Sequence, residues 1–92
     1  MLFRSVKSLE FDIHAFGDLE WWVERDRKTA LRVLKLIREI QRTPYEGTGQ
    51  PEALKHELEG CWSRRISQEH RLVYQVLEEE DRIRVLACRY HY

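Results

Sequence analysis

The apolar residues of this chain change period at Thr43-Pro44, and that change limits the possible folds more than any other feature. Before it, they recur at helical spacing. Ile13, Phe16, Leu19, Trp22 and Val23 make one stripe, with Asp12 available as a cap. Ala30, Val33, Leu34, Ile37 and Ile40 make a second, which Asp26 can cap, and Arg27, Lys28, Arg32, Lys35, Arg38 and Glu39 line its other face. Gly17 weakens the first helix by about 1 kcal/mol relative to Ala without breaking its pattern. Two amphipathic helices with a short joint read as an αα-hairpin.

Residues 44–51 hold both prolines and two of the four glycines, so they form a loop. Three runs rich in Val, Ile, Leu, Trp and Tyr follow, at 61–67, 70–77 and 82–90, and read as strands. Residues 54–58 are a weaker strand candidate that ends at Gly60, and residues 78–81 read as the tip of the last hairpin. Residues 7–11 alternate polar with apolar, as a short half-buried strand does. The expected class is α+β, with two N-terminal helices packed on one face of a mainly antiparallel sheet.

Ninety-two residues make one domain and leave no room for a second. The longest unbroken apolar run is Val85-Leu86-Ala87-Cys88, too short for a bilayer span, and the first residues hold no continuous apolar stretch of signal-peptide type. The expected address is the cytoplasm, with no membrane partner. Sixteen basic and sixteen acidic residues cancel, so bulk charge makes no case for nucleic acid. Glu78, Glu79, Glu80 and Asp81 concentrate acid in one stretch, which leaves a mild basic bias over the rest of the chain from residue 41 onward. Cys61 and Cys88 form no C-x-x-C pair and have no His partner at zinc-finger spacing; they read as reduced, partly buried thiols, with no metal.

Within a strand, alternate side chains share a face. Ser63 and Arg65 therefore point together, as do Arg71 and Val73, and as do Arg89 and His91. If the three sets share the face the helices leave open, they make a cationic floor; parity alone leaves this undecided. Arg64 alternates away from Arg65 and reads as a solvent or packing residue. Trp62 and Tyr74 read as core, and one of the adjacent pair Trp21 and Trp22 must face outward.

From Pro44 onward the chain resembles the YoeB-type toxins of the RelE/ParE superfamily. The strings that carry the resemblance are Thr43-Pro44-Tyr45-Glu46-Gly47-x-Gly49-x-Pro51-Glu52, then Leu54-Lys55-His56, Trp62-Ser63-Arg64-Arg65-Ile66, Glu69-His70-Arg71-Leu72-Val73-Tyr74 and the closing Ala87-Cys88-Arg89-Tyr90-His91-Tyr92. The pattern covers about residue 8 to 92, leaving residues 1–7 as a short N-terminal extension. The resemblance implies the toxin of a type II toxin–antitoxin pair, one that enters the A site of the 70S ribosome and cleaves mRNA. It also implies a YefM-like antitoxin and a homodimer.

Metal-independent RNA cleavage needs a base for the ribose 2′-OH, cations for the crowded phosphorane, and an acid for the leaving 5′-oxygen. By the resemblance, Glu52 is the base, its carboxyl needing burial or substrate to raise its pKa. His91 is the acid, since an imidazole holds and releases a proton near neutral pH. Arg65 and Arg71 are phosphate clamps, because guanidinium matches phosphate oxygens bidentately. Lys55, His56 and Arg89 support the phosphate groove. Tyr92 orients His91 or stacks on a base. No cofactor is implied. Thr48 and Gln50 stand where the family often has lysines. Two other functions share the fold: a ParE-like toxin that binds DNA gyrase without cutting RNA, and an inactive partner kept for an antitoxin–repressor complex.

Overall fold

The structure is a computed structural model and describes residues 6–89. The order of elements is β1 (Ser8–Phe11), α1 (Ile13–Arg25), α2 (Arg27–Arg42), β2 (Glu52–Ala53), β3 (Cys61–Arg65), β4 (Arg71–Leu77) and β5 (Arg82–Ala87). Short 3-10 turns occupy His56–Leu58 and Glu78–Glu80. Both predicted caps are in place. The Asp12 carboxylate accepts from the His14 amide at 3.0 Å, and Asp26 accepts from the Thr29 amide at 3.1 Å and its hydroxyl at 2.8 Å. Asp26 serves both helices, since its own amide closes α1 on the Trp22 carbonyl.

The five strands form one sheet in the order β1-β5-β4-β3-β2. β1 runs parallel to β5 and the other pairs are antiparallel. The helices cover one face, burying Ala15, Trp22, Ala30, Val33, Leu36, Ile37 and Ile40 against Leu72, Tyr74, Ile83 and Val85. The expected class is therefore the observed one. Among the described residues no helix is long and apolar enough to cross a membrane.

The structure corrects several local expectations. In α1 the buried positions are Ala15 and Trp22, with Leu19 packed beside them, while Ile13, Phe16 and Val23 stand exposed. Apolar residues ring much of this helix, so its stripe had two possible phases. In α2, Leu36 is buried and Leu34 is 40% exposed. Residues 54–58 do not make a strand: β2 ends at Ala53, one further bond runs from the Leu54 amide to the Cys61 carbonyl, and His56 takes a left-handed backbone that starts the 3-10 turn.

A bulge in β5 changes which side chains meet the helices. Tyr74 pairs with Val85 but Val73 with Ala87, so Leu86 is the extra residue. Unbroken alternation from Ile83 and Val85 would turn Ala87 inward. Instead Leu86 and Ala87 both pack on the open face, and Cys88 enters the helix-side core.

Candidate functional site

The open face is built from cross-strand partners. Glu52 pairs with Ser63, Ser63 with Val73, and Arg65 with Arg71. Directly opposed residues project to the same side of a sheet. Glu52, Ser63, Arg65, Arg71 and Val73 therefore share the face away from the helices, settling what parity left open for two of the three sets. Leu54, Cys61 and Val73, with Leu58, Leu86 and Ala87, give it an apolar floor. Two cations and a carboxylate around an apolar floor suit a strand of nucleotides: guanidinium for phosphate, apolar surface for a base.

Glu52, Lys55, His56 and Arg65 are exposed. Arg65 forms no ion pair among the described residues, and its guanidinium is open to an anion. Arg71 is half-buried, and its Nη1 donates to the carbonyls of Ser67 at 2.9 Å, Gln68 at 3.2 Å and His70 at 3.1 Å. It thus ties up the β3–β4 turn through one nitrogen. Neither arginine is paired with Glu52, Glu57 or Glu69 among the described residues.

Arg89 lies two residues beyond β5. Its guanidinium lies 4.0 Å from the ring centroid of Trp21, with Arg25 at 4.8 Å from the same ring. Trp21 is thus the half-buried member of the tryptophan pair, engaged by two arginines. Trp22 is buried and meets the His70 ring edge-on at 4.8 Å. His91 and Tyr92 lie outside the described residues.

The residue that sequence reasoning missed is Arg64. It is fully buried, not solvent-facing, and its guanidinium is used on every edge. Nη1 donates to Glu39 Oε1 at 2.6 Å and the Thr48 carbonyl at 3.2 Å. Nη2 donates to the carbonyls of Thr43 at 2.6 Å and Glu46 at 2.9 Å, and Nε to the Tyr74 hydroxyl at 3.3 Å. Tyr74 in turn donates to the Pro44 carbonyl at 2.6 Å. Glu39 completes the knot by accepting from the Thr48 amide at 2.8 Å and hydroxyl at 3.0 Å. Burial pushes the Glu39 carboxyl up, but the two Thr48 bonds and Arg64 outweigh it and hold the carboxyl below its usual range. The proline-bounded loop that leads to Glu52 is therefore organised around one buried cation. The only sequence signal was a polar residue at an inward strand position.

A model of the YoeB-like toxins of bacterial type II toxin-antitoxin systems matches residues 11–92. The chain belongs to that family. Toxin YoeB of Mycobacterium bovis is 51% identical over 87 residues, covering 95% of this chain and all of the relative. The YoeB/ParE toxin from Agrobacterium tumefaciens superposes with a TM-score of 0.89 at 41% identity, covering 92% of this chain and 99% of its own. YoeB of Staphylococcus aureus, solved as a heterotetrameric YoeB–YefM complex and as a YoeB dimer, matches with a TM-score of 0.83 at 39% identity in each, over 94% of this chain and 98% of its own. This chain is thus a YoeB-like toxin carrying the α+β fold of its structural relatives.

Proposed function

We propose that this YoeB-like toxin is a metal-independent endoribonuclease that cleaves mRNA in the ribosomal A site and so stops translation. The observation that carries the reading is the register placing Glu52, Arg65 and Arg71 on one open sheet face. Glu52 takes the proton from the 2′-OH, which attacks the adjacent phosphorus. Arg65 stabilises the equatorial oxygens of the phosphorane, and Arg71 adds charge beside it. His91 protonates the departing 5′-oxygen, leaving a 2′,3′-cyclic phosphate and a 5′-hydroxyl. Lys55 and His56, exposed just beyond β2, extend the cationic edge along the message. Tyr92 orients His91.

Glu52 is exposed, so packing of the message and ribosome over it supplies the desolvation a carboxylate base needs. Ribosome dependence follows from that need. The S. aureus complex supports a YefM-like antitoxin as this chain's partner, and the S. aureus dimer supports a homodimer; both are expected in the cytoplasm.

The test is a defined message presented naked and on programmed ribosomes. Cleavage is expected only on ribosomes, within the A-site codon. A message left intact on ribosomes overturns the reading.

A further inference from the structure

The knot around Arg64 ties Glu39 of α2 to the loop that leads into the strand carrying Glu52. Arg64 sits on β3 one residue after Ser63, the register partner of Glu52. Its guanidinium fixes the carbonyls at positions 43, 46 and 48. The next main-chain link is a 2.7 Å bond from the Arg65 amide to the Gly49 carbonyl. Three residues later the chain reaches Glu52. With the Tyr74 bond to the Pro44 carbonyl, the loop is thus held at 43, 44, 46, 48 and 49, and Glu52 enters the sheet on a path fixed by those five points.

The two loop glycines show how little slack the path has. A Cβ on Gly47, whose φ is +125°, would lie 2.8 Å from Glu39 Oε1 and 3.1 Å from Arg64 Nη1. A Cβ on Gly49, at φ +88°, would lie 3.1 Å from the Arg64 Cβ and 3.2 Å from the Arg65 amide nitrogen. β2 itself has only two residues, so pairing within the sheet cannot hold Glu52 in place alone.

We infer that the Glu39–Arg64 ion pair is a positioning device for Glu52, setting the carboxylate over the open face through the loop it holds. The inference takes the role of Glu52 from the nuclease reading above, while the mechanical link stands apart from it. Arg64 and Glu39 touch no substrate. They act by fixing where the base is.

The experiment uses the full chain and two variants that leave Arg64 in place, Gly47→Ala and Glu39→Gln, beside wild type. Amide hydrogen exchange is followed at Thr48, at Leu54, whose amide bonds the Cys61 carbonyl next to β2, and at Arg65. Steady-state cleavage on ribosomes is measured in parallel. All three amides should exchange at least about tenfold faster in both variants, with the β4–β5 ladder unchanged. At the same time kcat should fall by about 10- to 100-fold at constant KM, since a misplaced base slows chemistry without removing phosphate contacts. Acceleration at Thr48 alone overturns the inference, as does a loosened loop with unchanged kcat. If wild type cleaves nothing, the nuclease reading falls, and the exchange at Leu54 and Arg65 decides the positioning link by itself.

Discussion

The main-chain amide of Cys88 donates to Asp18 Oδ2 at 2.9 Å, joining the end of β5 to the middle of α1. The Cys88 carbonyl accepts from Trp22 Nε1 at 2.7 Å, and its Sγ lies 3.4 Å from the Ala15 carbonyl. Every polar group of Cys88 is therefore satisfied by α1, three residues before His91 in the sequence. A helix on the far side of the sheet from Glu52 thus fixes the position of Cys88.

Trp22→Phe keeps an aromatic ring but removes the donor, orphaning a buried carbonyl. The expected cost is about 1–3 kcal/mol, read as a lowered midpoint of urea unfolding at constant m-value. An unchanged midpoint would show that the bond contributes nothing net.

Both cysteines should resist alkylation in the native protein and react once it is unfolded. Cys61 and Cys88 are free and buried, and burial with the nearby Asp18 carboxylate pushes the Cys88 thiol up to about 12. Only a thiolate attacks, so at pH 8 the native thiol is inert. Mass spectrometry after iodoacetamide, with and without urea, checks this.

Acid should loosen the proline-bounded loop. The carboxyls of Glu39, Glu10 and Glu78 are all held below their usual range. Glu39 is held down by Thr48 and Arg64 against the opposing effect of burial, Glu10 by Arg82 and Arg84, and Glu78 by Tyr45 and Lys7. A depressed folded-state pKa contributes stability that is complete above the unfolded-state value and lost as pH falls through the folded one. Stability should hold from neutral pH down to the ordinary carboxylate range and decline below it. The acceleration of Thr48 amide exchange on acidification should be larger in wild type than in Glu39→Gln, whose exchange is already fast, once intrinsic rates are removed.

Much of the fold was legible because its signals are local. Asp12 and Asp26 cap where their spacing to the stripes requires, and the loop falls on the prolines and glycines. The errors came where neighbours decide. Apolar residues ring α1, so only the sheet beneath selects Ala15 and Trp22 over Ile13 and Phe16. The β5 bulge reverses parity between Val85 and Cys88, an event no alternation pattern announces.

The site was legible in part for the same reason. Alternation pairs Ser63 with Arg65 within one strand, but only the register brings Glu52 and Arg71 beside them. Arg89, expected beside the phosphate groove, stacks on Trp21, a contact that no spacing in the sequence announces. Arg64 looked like a solvent or packing arginine and is the buried centre of the loop. A charge at an inward position is readable only once its acceptors, scattered from Glu39 to Tyr74, come together.

The central claim is that the open sheet face cuts RNA with Glu52 as base. Its most direct test is single-turnover cleavage of an end-labelled message on programmed ribosomes by wild type and Glu52→Gln, with the product ends identified. Wild type should leave a 2′,3′-cyclic phosphate and a 5′-hydroxyl, and Glu52→Gln should be slower by about 10²- to 10⁴-fold at saturating toxin. Equal rates for the two proteins, or a 5′-phosphate product, would contradict it.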